Sequence, residues 1–107
     1  FLRLVSKSGD SSYKYLQNIY STKDTANQGV SLGLMMSEIF LGDNGSYSNG
    51  AYSNGVCRVH GGGFAGTILA IVKDNAVDEY RRNMDKIFGD GASMILQIRH
   101  CGGVRII

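Results

Sequence analysis

The sequence predicts an α+β domain: a two-layer sandwich with a mainly antiparallel sheet and helices on one face. Two observations carry this. Two apolar, β-branched runs, 56–60 and 66–72, stand on either side of a glycine cluster and read as adjacent strands. Segments of helical period precede and follow that pair, and a further apolar run at 94–99 comes after the second helix. The element order is therefore helices, strand, strand, helix, strand.

Leu2 and Val5 pair at helical spacing, and Tyr13, Leu16 and Tyr20 follow in the same period. Ser8-Gly9-Asp10 interrupts them, so two short helices are expected in this region. Residues 21–28 are polar and loop-like. Val30, Leu34, Met35, Ile39 and Leu41 mark the next helix, which ends at Gly42 and is apolar on more than one side, as a buried helix is. Residues 42–55 form a polar loop with an internal echo, Ser46-Tyr47-Ser48-Asn49-Gly50 and Tyr52-Ser53-Asn54-Gly55, a pattern of turns on a tolerated surface insertion. After the two strands, Asn75 is positioned to cap a helix, with Asp78 three residues on. Val77, Tyr80, Met84, Ile87 and Phe88 form its expected buried face, and Gly89 its end. Arg81, Arg82 and Lys86, set among Asp78, Glu79 and Asp85, read as a solvated mixed-charge face. The last strand runs over 94–99, and Gly102-Gly103 turns the chain toward 104–107.

A chain of 107 residues fits one domain with a modest core. Its composition, 43% hydrophobic and 19% charged, argues against disorder. Eleven basic residues against nine acidic leave a net charge of +2, too balanced to point to nucleic acid or an anionic membrane. No apolar run reaches the roughly 20 residues that cross a bilayer, and no start resembles a signal peptide, so a cytoplasmic location is expected. The chain opens at Phe1 in mid-pattern without a Met, which reads as a fragment of something longer. In a reducing compartment Cys57 and Cys101 are expected as thiols. A zinc site from Cys57, His60, His100 and Cys101 has poor ligand spacing, because Cys57 and His60 fall on opposite faces of a strand and His100 and Cys101 are adjacent.

The glycine cluster matches several phosphate-binding patterns by letter. Gly61-x-Gly63-x-x-Gly66 satisfies a dinucleotide fingerprint, but that fingerprint needs a helix after its last glycine and 67–72 is a strand. The Walker spacing from Gly61 to Gly66 is followed by Thr67 where lysine is required. A protein-kinase loop does lie between strands, and Ala70-Ile71-Val72-Lys73 imitates its lysine motif, yet no catalytic-loop or magnesium motif follows. Gly63-Phe64-Ala65 echoes an RNA-recognition strand, but Phe64 is the lone aromatic where a stacking platform needs several. Gly29-Val30-Ser31-Leu32-Gly33 has the letters of a nucleophile elbow without the buried strand before it. What remains is a strand–glycine loop–strand hairpin. Its amides either meet a phosphate or sugar, or the glycines merely permit a tight turn packed on another domain.

The run Arg58-Val59-His60-Gly61-Gly62-Gly63-Phe64-Ala65-Gly66-Thr67 resembles the third conserved motif of galactokinases, in the GHMP superfamily of small-molecule kinases. Ser8-Gly9-Asp10-Ser11-Ser12 with Tyr15-Leu16-Gln17-Asn18, the helix end Phe88-Gly89-Asp90-Gly91, and Ile98-Arg99 with Gly102-Gly103 are similar to the bacterial branch. The resemblance spans nearly the whole chain and implies a ferredoxin-like C-terminal domain over residues 1–107. It differs from the family at His60, where a small hydroxyl residue is usual, and at His100-Cys101, where Pro-Val is usual. It implies transfer of the ATP γ-phosphoryl group to the anomeric hydroxyl of galactose, in a cleft between two domains. Gly61, Gly62, Gly63, Phe64, Ala65 and Gly66 would form a nucleotide- and substrate-binding wall of that cleft. ATP and Mg2+ are the implied cofactors, bound mainly by an N-terminal domain of the same kinase, which is the implied protein partner. The sugar signature, the phosphate loop and the acidic base belong to that domain, so no catalytic residue is expected within 1–107. The other reading is a non-catalytic interaction or regulatory module related to galactokinase.

Overall fold

A computed structural model of the chain describes residues 1–17, 19–42, 54–61, 66–98, 100–103 and 105. Helix α1 (Leu2–Asp10) runs directly into one turn of π-helix (Ser11–Tyr15), closed by Leu16 N donating to Ser11 O at 3.0 Å. The expected break at Ser8-Gly9-Asp10 is absent. Gly9 is instead a contact point: a Cβ there would lie 3.0 Å from Arg58 Cβ and 3.1 Å from Cys57 O. The missing side chain lets the helix approach the sheet, and the Asp10–Lys14 ion pair (2.7 Å) carries the helical path onward.

Helix α2 (Gly29–Leu41) ends as expected at Gly42, whose left-handed φ of 80° and N–H bond to Glu38 O stop the helix. Its burial is one-sided. Val30, Gly33, Leu34, Ser37 and Leu41 face inward, while Leu32, Met35 and Ile39 are exposed. Strands β1 (Gly55–Val59) and β2 (Ile68–Val72) form an antiparallel pair in the register Gly55↔Val72 to Val59↔Ile68, β1 one residue ahead of the expected 56–60 and β2 inside the expected 66–72. A 3-10 turn (Asp74–Ala76) leads into helix α3 (Val77–Phe88). Asn75 therefore lies before the α-helix, and no side chain caps it. Tyr80 and Met84 are buried as expected, whereas Ile87 and Phe88 are only partly covered, the Phe88 ring lying against Gly33 of α2. Gly89 ends α3, with its N–H on Asp85 O at 2.8 Å.

The chain is thus α+β, with one core in which α2 and α3 cover the face of the hairpin that carries Cys57 and Val59. The third helix is placed differently from the expected one-faced layer. Bonded positions His60–Thr67 and Asn54–Lys73 fix the ladder's alternation, so the Cys57 carbonyl points away from β2. Gly9 meets that carbonyl, so α1 lies along the outer edge of β1 and protects it.

The expected strand at 94–99 is not formed over 94–98, where Met94, Ile95, Leu96 and Ile98 stand 80%, 59%, 73% and 97% exposed. The chain leaves α3 through Gly89 and Gly91, both at positive φ. It is then held at the helix end by Ala92 N on Gly89 O (3.2 Å) and Ser93 N on Asp85 Oδ1 (3.3 Å). An apolar run makes a strand only when it pairs with an edge, and 94–98 lies beside the groove along β2 without pairing with it. Most of the Ser-Asn-Gly loop, Arg99 and most of 104–107 lie outside the described residues.

Candidate functional site

The base and the tip of the hairpin are built in different ways. At the base, Asn54 N donates to Leu41 O (3.1 Å), Asn54 Nδ2 to Phe40 O (3.3 Å), and Lys73 N to Asn54 O (2.8 Å). One residue thereby joins both strands to the C-terminus of α2. Gly55, at φ 151°, follows it, and a Cβ there would sit 2.0 Å from Ile71 O. Side chains are excluded by the backbone of the partner strand.

At the tip, His60 N donates to Thr67 O at 3.1 Å and closes the ladder. Gly61 (φ 61°) and Gly66 (φ 81°) then bracket the loop, both in the left-handed region. A Cβ on either would meet none of the described residues within 4 Å. These two glycines answer a demand of backbone conformation. Gly62, Gly63, Phe64 and Ala65, the other four expected site residues, lie outside the described residues. His60 and Thr67 are exposed at the strand ends.

From Gly66 and Thr67 an open groove of about 1080 Å³ runs along β2, bounded by α3 and by residues 92–98. Its walls are mainly apolar, with Asp24, Asp74 and Arg81 among the polar groups. Arg81 departs from the expected solvated face: it is half-buried, and its buried Nε meets no hydrogen-bond acceptor among the described residues.

Beneath the groove, Ser37 Oγ and Tyr80 Oη share a buried hydrogen bond of 2.8 Å that ties α2 to α3. Met84 Sδ lies 4.0 Å from the same Ser37 oxygen, and the Phe40 and Tyr80 rings pack at 5.7 Å with a 51° tilt. Burial pushes the Tyr80 pKa above the usual 10.0; the Ser37 hydrogen bond opposes that rise and Cys57 adds to it. Ser37, a hydroxyl on the same helix face as Val30, Leu34 and Leu41, was the available sequence sign of this pair. Its partner, 43 residues on, had none.

The cysteine–histidine set does not converge. Cys57 is buried in β1, whereas His60, His100 and Cys101 are exposed. Among the described residues no three of His, Cys, Asp or Glu gather to hold a metal ion. No helix among them is long and apolar enough to cross a membrane. Compared with protein-family models, curated proteins and solved structures, the chain matches none.

Proposed function

We propose that this chain is the C-terminal part of a galactokinase-like sugar kinase and supplies a glycine-rich wall of the cleft where ATP phosphorylates galactose. The supporting observation is the setting of the motif His60 to Thr67. Its described ends, His60–Gly61 and Gly66–Thr67, follow and precede the paired strands β1 and β2, and both glycines have positive φ. Such a tip can bring main-chain N–H groups close to an anion without side chains intervening, and phosphoryl transfer depends on positioning and charge stabilisation of this kind. Mg2+ and the γ-phosphate would be held chiefly by the N-terminal domain, where the metal supplies charge neutralisation. This chain contributes orientation and exclusion of water.

The test has two arms. The 107-residue chain alone, given Mg-ATP and galactose, is expected to show no turnover. The same chain preceded by its own upstream coding region is expected to consume ATP in a galactose-dependent way. Turnover by the chain alone would overturn the division of labour. An upstream region lacking a sugar signature and phosphate loop, together with absent turnover, would favour the non-catalytic interaction module instead.

A further inference from the structure

The outer edge of β2 and segment 94–98 both lack a strand partner among the described residues. In the ladder, Leu69 and Ile71 turn their backbone groups toward β1, so Ile68, Ala70 and Val72 present theirs at the opposite edge. No strand pairs with that edge among the described residues. Natural edges are usually blunted by charge, proline or a covering element. The outer edge of β1 has α1 over it, while β2 reads Ile68-Leu69-Ala70-Ile71-Val72 with neither charge nor proline.

Segment 94–98 is complementary in every respect. Met94-Ile95-Leu96-Gln97-Ile98 is uncharged, has a strand-forming pattern, and makes no backbone hydrogen bond among the described residues. It borders the same groove as β2 without pairing with it. The tether explains why it does not fold back: residues 89–93 are pinned to the end of α3 by the Gly89, Ala92 and Ser93 hydrogen bonds. A short, anchored hinge that keeps a strand-forming segment from its own sheet favours exchange between copies.

We propose that the chain self-associates by reciprocal exchange, with 94–98 of each copy added as a strand to the free edge of β2 in a second copy. A specific interface removes about 1,000 Å² or more from water. The exchange brings in four largely exposed apolar side chains from each copy, together with the two grooves that receive them. The small net charge of +2 offers little repulsion. This inference is independent of the kinase reading.

Sedimentation velocity of the chain over a wide concentration range is expected to show a monomer–dimer equilibrium. Amides of 94–98 should gain hydrogen-exchange protection in step with the dimer. Leu96→Lys and Ile98→Lys alter exposed residues, so their circular dichroism should match the parent, while each raises the dimer dissociation constant by about tenfold or more. In a Cys101→Ser background, a Leu69→Cys copy mixed with a Leu96→Cys copy should form a disulfide between unlike copies. A chain monomeric throughout overturns the proposal, whether 94–98 is protected by its own β2 or unprotected altogether. A dimer indifferent to both lysine variants also overturns it, and points to the exposed Leu32, Met35 and Ile39 face of α2.

Discussion

The two ends of the β1–β2 hairpin use glycine for opposite purposes. At the base, Gly55 is required because the partner strand occupies the place of a side chain, with Ile71 O only 2.0 Å from a Cβ. At the tip, a Cβ on Gly61 or Gly66 would meet none of the described residues within 4 Å, and it is positive φ that calls for glycine. A glycine with no room beside it holds the fold together. A glycine called for by its φ rather than by a neighbour costs order, and is where a ligand-facing loop is to be sought. Substitutions at the two ends should therefore separate stability from activity.

The largest effect is expected at the base. Gly55→Ala should destabilise by about 3 kcal/mol or more, or prevent folding, because strain at φ 151° adds to a backbone clash; urea unfolding measures it. Next comes the buried pair behind the sheet. Ser37→Ala or Tyr80→Phe each leaves one buried oxygen without its partner and should cost about 1–3 kcal/mol. The double variant should cost clearly less than the two singles together, and additive losses would show that the pair is not coupled.

Tyr80 also sets a pH signature. Its folded pKa lies above the unfolded value near 10, so the folded state retains the proton longer. The resulting stability is complete below about pH 10 and is lost as pH rises through the folded pKa. Tyr80→Phe should remove that part of the alkaline decline, read as a narrowing gap between parent and variant above pH 10. A gap that stays constant with pH would contradict the assignment. The smallest stability effect belongs to the tip, where Gly61→Ala or Gly66→Ala should cost about 1–2 kcal/mol from the left-handed backbone alone.

Much of this contrast was legible in the sequence wherever local chemistry decides. Gly42 and Gly89 end their helices as read, because a residue at positive φ stops a helix whatever surrounds it. The two strands follow their β-branched runs. Distant packing was not legible. Gly9 reads as a helix breaker until β1 is seen pressed against it. Residues 94–98 read as a strand, but they lie beside the groove along β2 without pairing with it. The apolar faces of α2 and α3 were over-read for the same reason: periodicity shows that a face is apolar, and only the tertiary arrangement shows what covers it. Of the residues lining the groove, the half-buried Arg81 looked in the sequence like one more charge on a solvated helix.

On the proposed kinase reading, the contrast between base and tip is tested most directly by the double variant Gly61→Ala/Gly66→Ala, made in a protein that joins this chain to the N-terminal domain which that reading requires. Thermal unfolding and galactose-dependent ATP consumption are measured on the same preparation. The folded structure should persist with only the modest loss that two left-handed alanines impose, while turnover falls by on the order of a hundredfold through misplacement of the loop. Undiminished turnover would contradict a role for the tip in the active-site wall. Collapse of the fold along with turnover would show that the tip glycines serve packing, as Gly55 does.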